Sequence, residues 1–218
     1  MDRDNCMTAS DEAADPARHA IARRTVLGGM LGAASSVMMP SSRAQARTNG
    51  PPPFGTARSQ FTLLAPVKTV PSLPLTRLNG ATDNFAAFRG KTVLVNFWAT
   101  WCAACRVELP ILDRLQETTG QKNLKVVAIS LDRNGRAAVL PFVQKLKIRH
   151  LEVYLDPDGR VGSVGNDNAT APFPIYGMPI SYVVGPSGRI EGYLTGEADW
   201  LSDDARNLLS YYASPMAG

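Results

Sequence analysis

Apolar residues in this chain fall into a few unbroken blocks separated by helical stripes. "TVLVNFWA", residues 92–99, is a continuous β-branched and aromatic run, the pattern of a strand buried on both faces at the centre of a largely parallel sheet. "NLKVVAISLD", residues 123–132, repeats that signature. Between the two, Leu109, Leu112 and Gln116 alternate with Ile111 and Leu115 at helical spacing, and Gly120 closes the element. The three together predict a βαβ unit. "NGRAAVLPFVQKLKI" predicts a second helix, with Pro141 in or near its first turn, because a proline deeper inside would break it. "EVYLDPDG" reads as a short strand and a turn, residues 165–177 as a loop, and "ISYVVGPSGRIEGYLTG" as a hairpin turning at Gly185 to Gly188. A closing helix carries Leu201, Ala205, Leu208 and Tyr212 on one face, with Asp199 as its cap and Asp203 and Asp204 near its N-terminus.

Residues 47–74 mix Pro, Gly, Ser and Thr without a sustained period, which predicts a Pro-rich tether. The folded domain is then expected over residues 75–218, as one α/β unit: a central, mostly parallel mixed sheet flanked by helices. At 218 residues there is room for one domain with a good core, and no internal repeat is visible. No apolar run is long enough to read as a membrane span. The net charge of +4 is mild, and the 23 Lys and Arg are scattered, which argues against a nucleic-acid partner.

The first 46 residues have the layout of an export signal. Arg23 and Arg24 precede a small-residue-rich apolar stretch, residues 25–39, and Ala44 and Ala46 fit an A-x-A cleavage rule. The pattern resembles the twin-arginine type in Arg23, Arg24 and Leu27, with Val26 and Gly28 as departures. Cleavage after Ala46 would remove Cys6 and leave only Cys102 and Cys105. An uncleaved signal would instead anchor the chain in the membrane; either way the expected location is periplasmic.

A CxxC pair directly after a buried strand admits several chemistries. Zinc needs four ligands, and the processed chain offers two cysteines and His150. Haem attachment needs CxxCH, and position 106 is Arg. A purely structural staple across so short a loop removes little chain entropy. Thiol–disulfide exchange remains, without a metal or other cofactor. It requires a thiolate, and the strand-to-helix junction supplies one by placing the Cys102 sulfur at unpaired backbone N–H groups and the positive end of a helix dipole. Cys105, one turn in, is more buried and suited to resolving a mixed disulfide. Glu108 shares a helix face with Cys105; it is either a partly buried base for the Cys105 proton or a solvated surface carboxylate. Pro110 falls mid-helix. Pro179, after Gly177 and Met178, is a candidate cis proline whose exposed neighbour backbone could pair with a substrate strand, although X-Pro bonds are usually trans.

With "FWATWCAAC", "RVELP", "VVAISLD" and "GMPISYVVGPSGRI" in this order, the chain resembles the thioredoxin superfamily, and within it the TlpA/ResA-like thiol:disulfide interchange proteins. "NFWATWC", "RVELP" and "GEADWLSDDARNLL" look most like the TlpA branch. The likeness covers about residues 73 to 213 and implies a thioredoxin-like fold, Cys102 and Cys105 as the redox pair, a cis Pro179, and Glu108 as the acidic residue near the dithiol. Trp101, Met178 and Pro179 are the expected substrate contacts. The implied activity is reduction of disulfides in client proteins during copper-site or cytochrome c assembly, by a monomer that draws electrons from a membrane-embedded thiol donor. A disulfide-forming oxidant and a Sco-type copper carrier are the alternatives, the latter disfavoured by the cysteine spacing. Two positions depart from the family pattern: Ala104 where it has Pro, which would favour the dithiol and make a stronger oxidant, and Ile180 where it commonly has Thr.

Overall fold

A computed structural model describes residues 50–119, 123–165 and 168–213. The export signal expected over residues 1–46 lies outside them. An eight-stranded sheet runs in the order β1-β10-β9-β4-β5-β6-β2-β3, from β1 (Thr62–Thr69), β2 (Pro74–Arg77), β3 (Thr82–Asn84), β4 (Thr92–Trp98), β5 (Leu124–Ser130), β6 (Glu152–Leu155), β9 (Ile180–Val184) and β10 (Arg189–Thr195). A separate two-stranded parallel pair joins β7 (Gly162–Val164) to β8 (Phe173–Ile175). The helices are α1 (Ala103–Thr119), α2 (Arg136–Lys145) and α3 (Asp203–Ala213).

The apolar blocks behave as their pattern requires. All seven residues of β4 are buried, and the strand pairs parallel with β5 from Thr92↔Leu124 to Trp98↔Ser130. Its side chains alternate between two cores. Leu94 and Trp98 join the cluster that contains Leu109, Leu112 and Leu115 of α1, Val139 and Val143 of α2, and Ala205, Leu208 and Leu209 of α3. Val93, Val95 and Phe97 join Phe85, Phe173, Ile180, Tyr182 and Val184 on the other face. Gly162 permits the close approach there: a Cβ on it would lie 2.5 Å from the Phe97 ring. The hairpin turns at residues 185–188 as expected, and Gly188 takes the positive φ of 81° that the turn needs.

Four expectations need correction. Parallel pairing is confined in the large sheet to β4-β5 and β5-β6; β9, β10, β1, β2 and β3 add antiparallel, so the sheet is mixed as expected but mostly antiparallel. The supposed tether is largely part of the fold. β1 pairs with β10, Phe54 packs on Trp200 with ring centroids 5.0 Å apart, and Val70 is buried in the second core. Pro141 sits in the second turn of α2, where it removes the N–H that would bond the Ala137 carbonyl, yet the helix continues to Lys145. Ser202 rather than Asp199 caps α3, its Oγ accepting the Ala205 N–H at 3.3 Å, while Asp199 closes a tight turn on the Leu201 N–H at 3.0 Å.

The docking of Phe54 gives a direct check on the N-terminal segment. Phe54→Ala should cost about 3 kcal/mol in urea unfolding, the usual size for an emptied aromatic site; an unstructured tether would give no change.

Candidate active site

Cys102 lies at the end of the loop that leaves β4, one residue before α1, and Cys105 lies in the first turn of the helix. The two are joined as a disulfide, with Cα atoms 5.3 Å apart. The Cys105 backbone N–H donates to Cys102 Sγ at 3.2 Å, so an unsatisfied amide of the helix N-terminus is already aimed at the sulfur. Cys102 keeps 8% of its surface and Cys105 only 1%, which leaves the first sulfur at the solvent edge and the second beneath it. Trp101 is 69% exposed beside them.

Glu108 is fully buried on the inner face of α1 and held by donors from distant parts of the chain. Its Oε1 accepts the Trp200 indole Nε1–H at 2.9 Å and the Ala198 N–H at 3.0 Å. Its Oε2 accepts from Asn96 Nδ2 at 2.8 Å, and that same amide nitrogen donates to Ser181 Oγ at 2.9 Å. Burial pushes the Glu108 carboxyl up from its ordinary 4.5 to about 7, against the lowering effect of these three donors, with nearby Glu197 adding to the rise. Of the two readings open for this residue, the solvated surface carboxylate is the one its burial removes. Asn96 explains itself in the same way. It interrupts the apolar row that β4 turns toward α1 because that row passes beneath a carboxylate. Asn96 Oδ1 is buried and accepts no hydrogen bond from any described residue.

Met178–Pro179 is a cis peptide. β9 pairs antiparallel with β4 through Phe97↔Ile180, and extending that register brings Pro179 and Met178 to the end of β4 from which the cysteine loop departs. Met178 is half-buried against both cores, including the cluster that holds both cysteines, and Pro179 is buried. Ile180 is buried and faces the second core, away from the helices.

The structure adds residues that sequence reasoning passed over. Trp200, Ala198 and Ser181 gave no local signal, since each meets Glu108 or Asn96 only through the fold. Asn96 did leave one, as a polar amide in the middle of an apolar block. Asp132 is another: it accepts the Thr100 N–H at 2.9 Å and the Thr100 hydroxyl at 2.6 Å, tying the end of β5 to the loop before Cys102. Among the described residues no group of three or more His, Cys, Asp or Glu side chains is placed to hold a metal, and no helix is long and apolar enough to cross a membrane.

The family model Redoxin matches residues 61–200. The chain is 26% identical over 130 residues to the thiol-disulfide oxidoreductase ResA of Bacillus thuringiensis subsp. konkukian, a match covering 60% of this chain and 69% of that protein. It is 36% identical over 106 residues to the thiol:disulfide interchange protein CycY of Rhizobium leguminosarum bv. viciae, covering 48% of this chain and 50% of that protein. A thioredoxin family thiol:disulfide interchange protein of Chlorobium tepidum TLS superposes with a TM-score of 0.56 at 24% identity, over 69% of this chain and 99% of that one; this likeness establishes the thioredoxin-like fold. Since the matched span runs from β1 to the loop before α3, the chain belongs to the Redoxin family.

Proposed function

We propose that this thiol-disulfide oxidoreductase acts outside the cytoplasm as a dithiol reductant of disulfides in client proteins. One observation carries the reading: a solvent-edge sulfur, Cys102, is joined to a buried one, Cys105, on the same helix face as a buried carboxylate titrating near neutrality. In the reduced protein the Cys102 thiolate attacks one sulfur of a client disulfide, forming a mixed disulfide and expelling a client thiolate. Glu108 takes the proton of Cys105, whose thiolate then attacks Cys102 Sγ. The second client thiolate leaves, and two electrons have passed to the client as the Cys102–Cys105 disulfide forms. Trp101 and the Met178–Pro179 backbone flank the sulfur as the client contacts. A membrane-embedded thiol donor returns the electrons, and the protein works as a monomer.

The clients proposed are copper-site or cytochrome c assembly proteins, by the chain's resemblance to TlpA/ResA-like proteins. Ala104 favours a second reading, an oxidant that forms disulfides, since the turn lacks the proline ring that the family usually has between its cysteines. Export rests on Arg23, Arg24 and Ala46.

If Glu108 is the base, resolution should speed up as pH rises through about 7 and then level off. Glu108→Gln should remove that inflection and slow resolution several-fold or more, general bases contributing roughly 10²- to 10⁴-fold where they act in a limiting step. Asn96 can accommodate the new amide by rotating its own to present Oδ1. Stopped-flow reduction of a model disulfide at unchanged speed from about pH 6 to 9 would remove Glu108 from the mechanism. Stability offers an independent sign. A carboxyl whose folded pKa is raised binds its proton more tightly when folded, so its contribution is complete below 4.5 and lost as pH climbs to about 7. The fold should therefore weaken over that window by up to about 3 kcal/mol, and Glu108→Gln should flatten the dependence.

Cys105→Ser should halt the cycle at the mixed disulfide, because a serine hydroxyl cannot displace it. Clients should then accumulate on Cys102 as higher-mass bands on non-reducing gels that collapse with reductant and vanish when Cys102 is also replaced. Copper-site or cytochrome c assembly proteins among them would support the reductase, and broad capture of newly exported proteins the oxidant. No adduct in any redox buffer would overturn exchange with protein clients.

A further inference from the structure

We infer that Asp132, through the charge it holds beside the cysteine loop, biases the Cys102–Cys105 pair toward its disulfide form, making the reduced protein the stronger reductant; the inference rests on the exchange reading above. Asp132 follows the end of β5 and is 5% exposed. Its Oδ2 accepts the Thr100 N–H at 2.9 Å and the Ser130 hydroxyl at 2.7 Å, while its Oδ1 accepts the Thr100 hydroxyl at 2.6 Å. The Asp132 N–H returns a bond to Ser130 Oγ at 3.1 Å, and the Leu131 N–H bonds the Trp98 carbonyl at 2.9 Å. Three hydroxyl and amide donors thus grip a carboxylate against the segment from Trp98 to Thr100, two residues short of Cys102.

Those donors are neutral. Among the described residues no Lys, Arg or His forms an ion pair with Asp132. Its charge is therefore hydrogen-bonded but not ion-paired, at a fixed place next to the loop that carries the attacking sulfur. A like charge opposes ionisation, so Asp132 counteracts what the Cys105 N–H and the α1 N-terminus do for the Cys102 thiolate. A dithiol whose thiolate is less stabilised gives up its electrons more readily. The expected effect is opposite in sign to that of Ala104. The other charges flanking the pair are Glu108, buried on the inner face of α1; Arg106, whose guanidinium lies over the Phe142 ring at 5.7 Å; and the exposed Arg133 beside Asp132.

The experiment uses the protein equilibrated in glutathione buffers and reads the Cys102–Cys105 pair, where two glutathione thiols form one oxidised glutathione for each disulfide reduced. Asp132→Asn removes the charge and keeps an acceptor for the Thr100 N–H. Thr100→Val keeps the charge and removes one of its donors. Asp132→Asn should shift the equilibrium several-fold toward the dithiol and bring the Cys102 thiolate absorbance up at lower pH, whereas Thr100→Val should leave both near wild type. Asp132→Ser repeats the charge removal if the asparagine variant does not fold. Wild-type equilibrium and thiol titration in the charge-removing variants would overturn the inference. An equal shift in Thr100→Val would overturn it too, because loop geometry would then be responsible rather than charge. The two claims fail separately: the glutathione equilibrium involves no client, so its outcome stands whatever Cys105→Ser captures.

Discussion

A carboxylate placed where water cannot reach it organises this protein. Glu108 is buried under α1, and burying an ionisable group is tolerable only if donors replace its hydration. The chain supplies three: an amide from the central strand, a backbone N–H and an indole N–H from the segment before α3. Meeting that need fixes the height and rotation of α1 over β4 and pins the 198–200 segment beneath it. Trp200, held there by its indole, becomes the platform on which Phe54 closes the N-terminal segment. The first turn of α1, with both cysteines, is thus set by a polar constraint lodged in an otherwise apolar layer.

Above that layer the reactive sulfur experiences opposing fields. The N-terminus of α1 and the Cys105 amide favour negative sulfur, whereas carboxylates in the helix and in the β5 loop oppose it. A dithiol pulled fully one way would either hold its electrons or never ionise. Having both signs near the pair lets small changes in loop sequence move the balance without altering the scaffold.

The sequence made some of this plain and hid the rest for physical reasons. Strands buried on both faces must be nearly all apolar, so β4, β5 and β9 announce themselves, β10 follows β9 through the glycine-bounded turn, and CxxC at the end of such a strand fixes the position of the chemistry. β1 is an edge strand with most of its residues exposed, so it carries no periodic signal and reads as linker. The three-residue strands β7 and β8 are too short to show alternation. The share of parallel pairing is overestimated because a fully buried strand looks the same whether its neighbours run parallel or not, while the parallel β4-β5 pair and the antiparallel hairpin are as expected. Glu108 could not be assigned as buried, since Trp200 lies 92 residues away in the chain and nothing local to either residue connects them. Asn96 was visible as a break in pattern, but its meaning depends on the same distant partner.

The edges of the large sheet have a further consequence. On one side, β1 pairs with β10 at Thr62 and Leu63, loses register, and resumes at Lys68 and Thr69, with Pro66 in the gap offering no N–H. On the other side, β3 is three residues long. Neither border presents an uninterrupted ladder onto which a second chain could zip. A molecule whose sulfur chemistry draws other polypeptides into contact is thereby guarded against fibril growth through its own sheet, and encounters are left to the thiol, where they can be reversed.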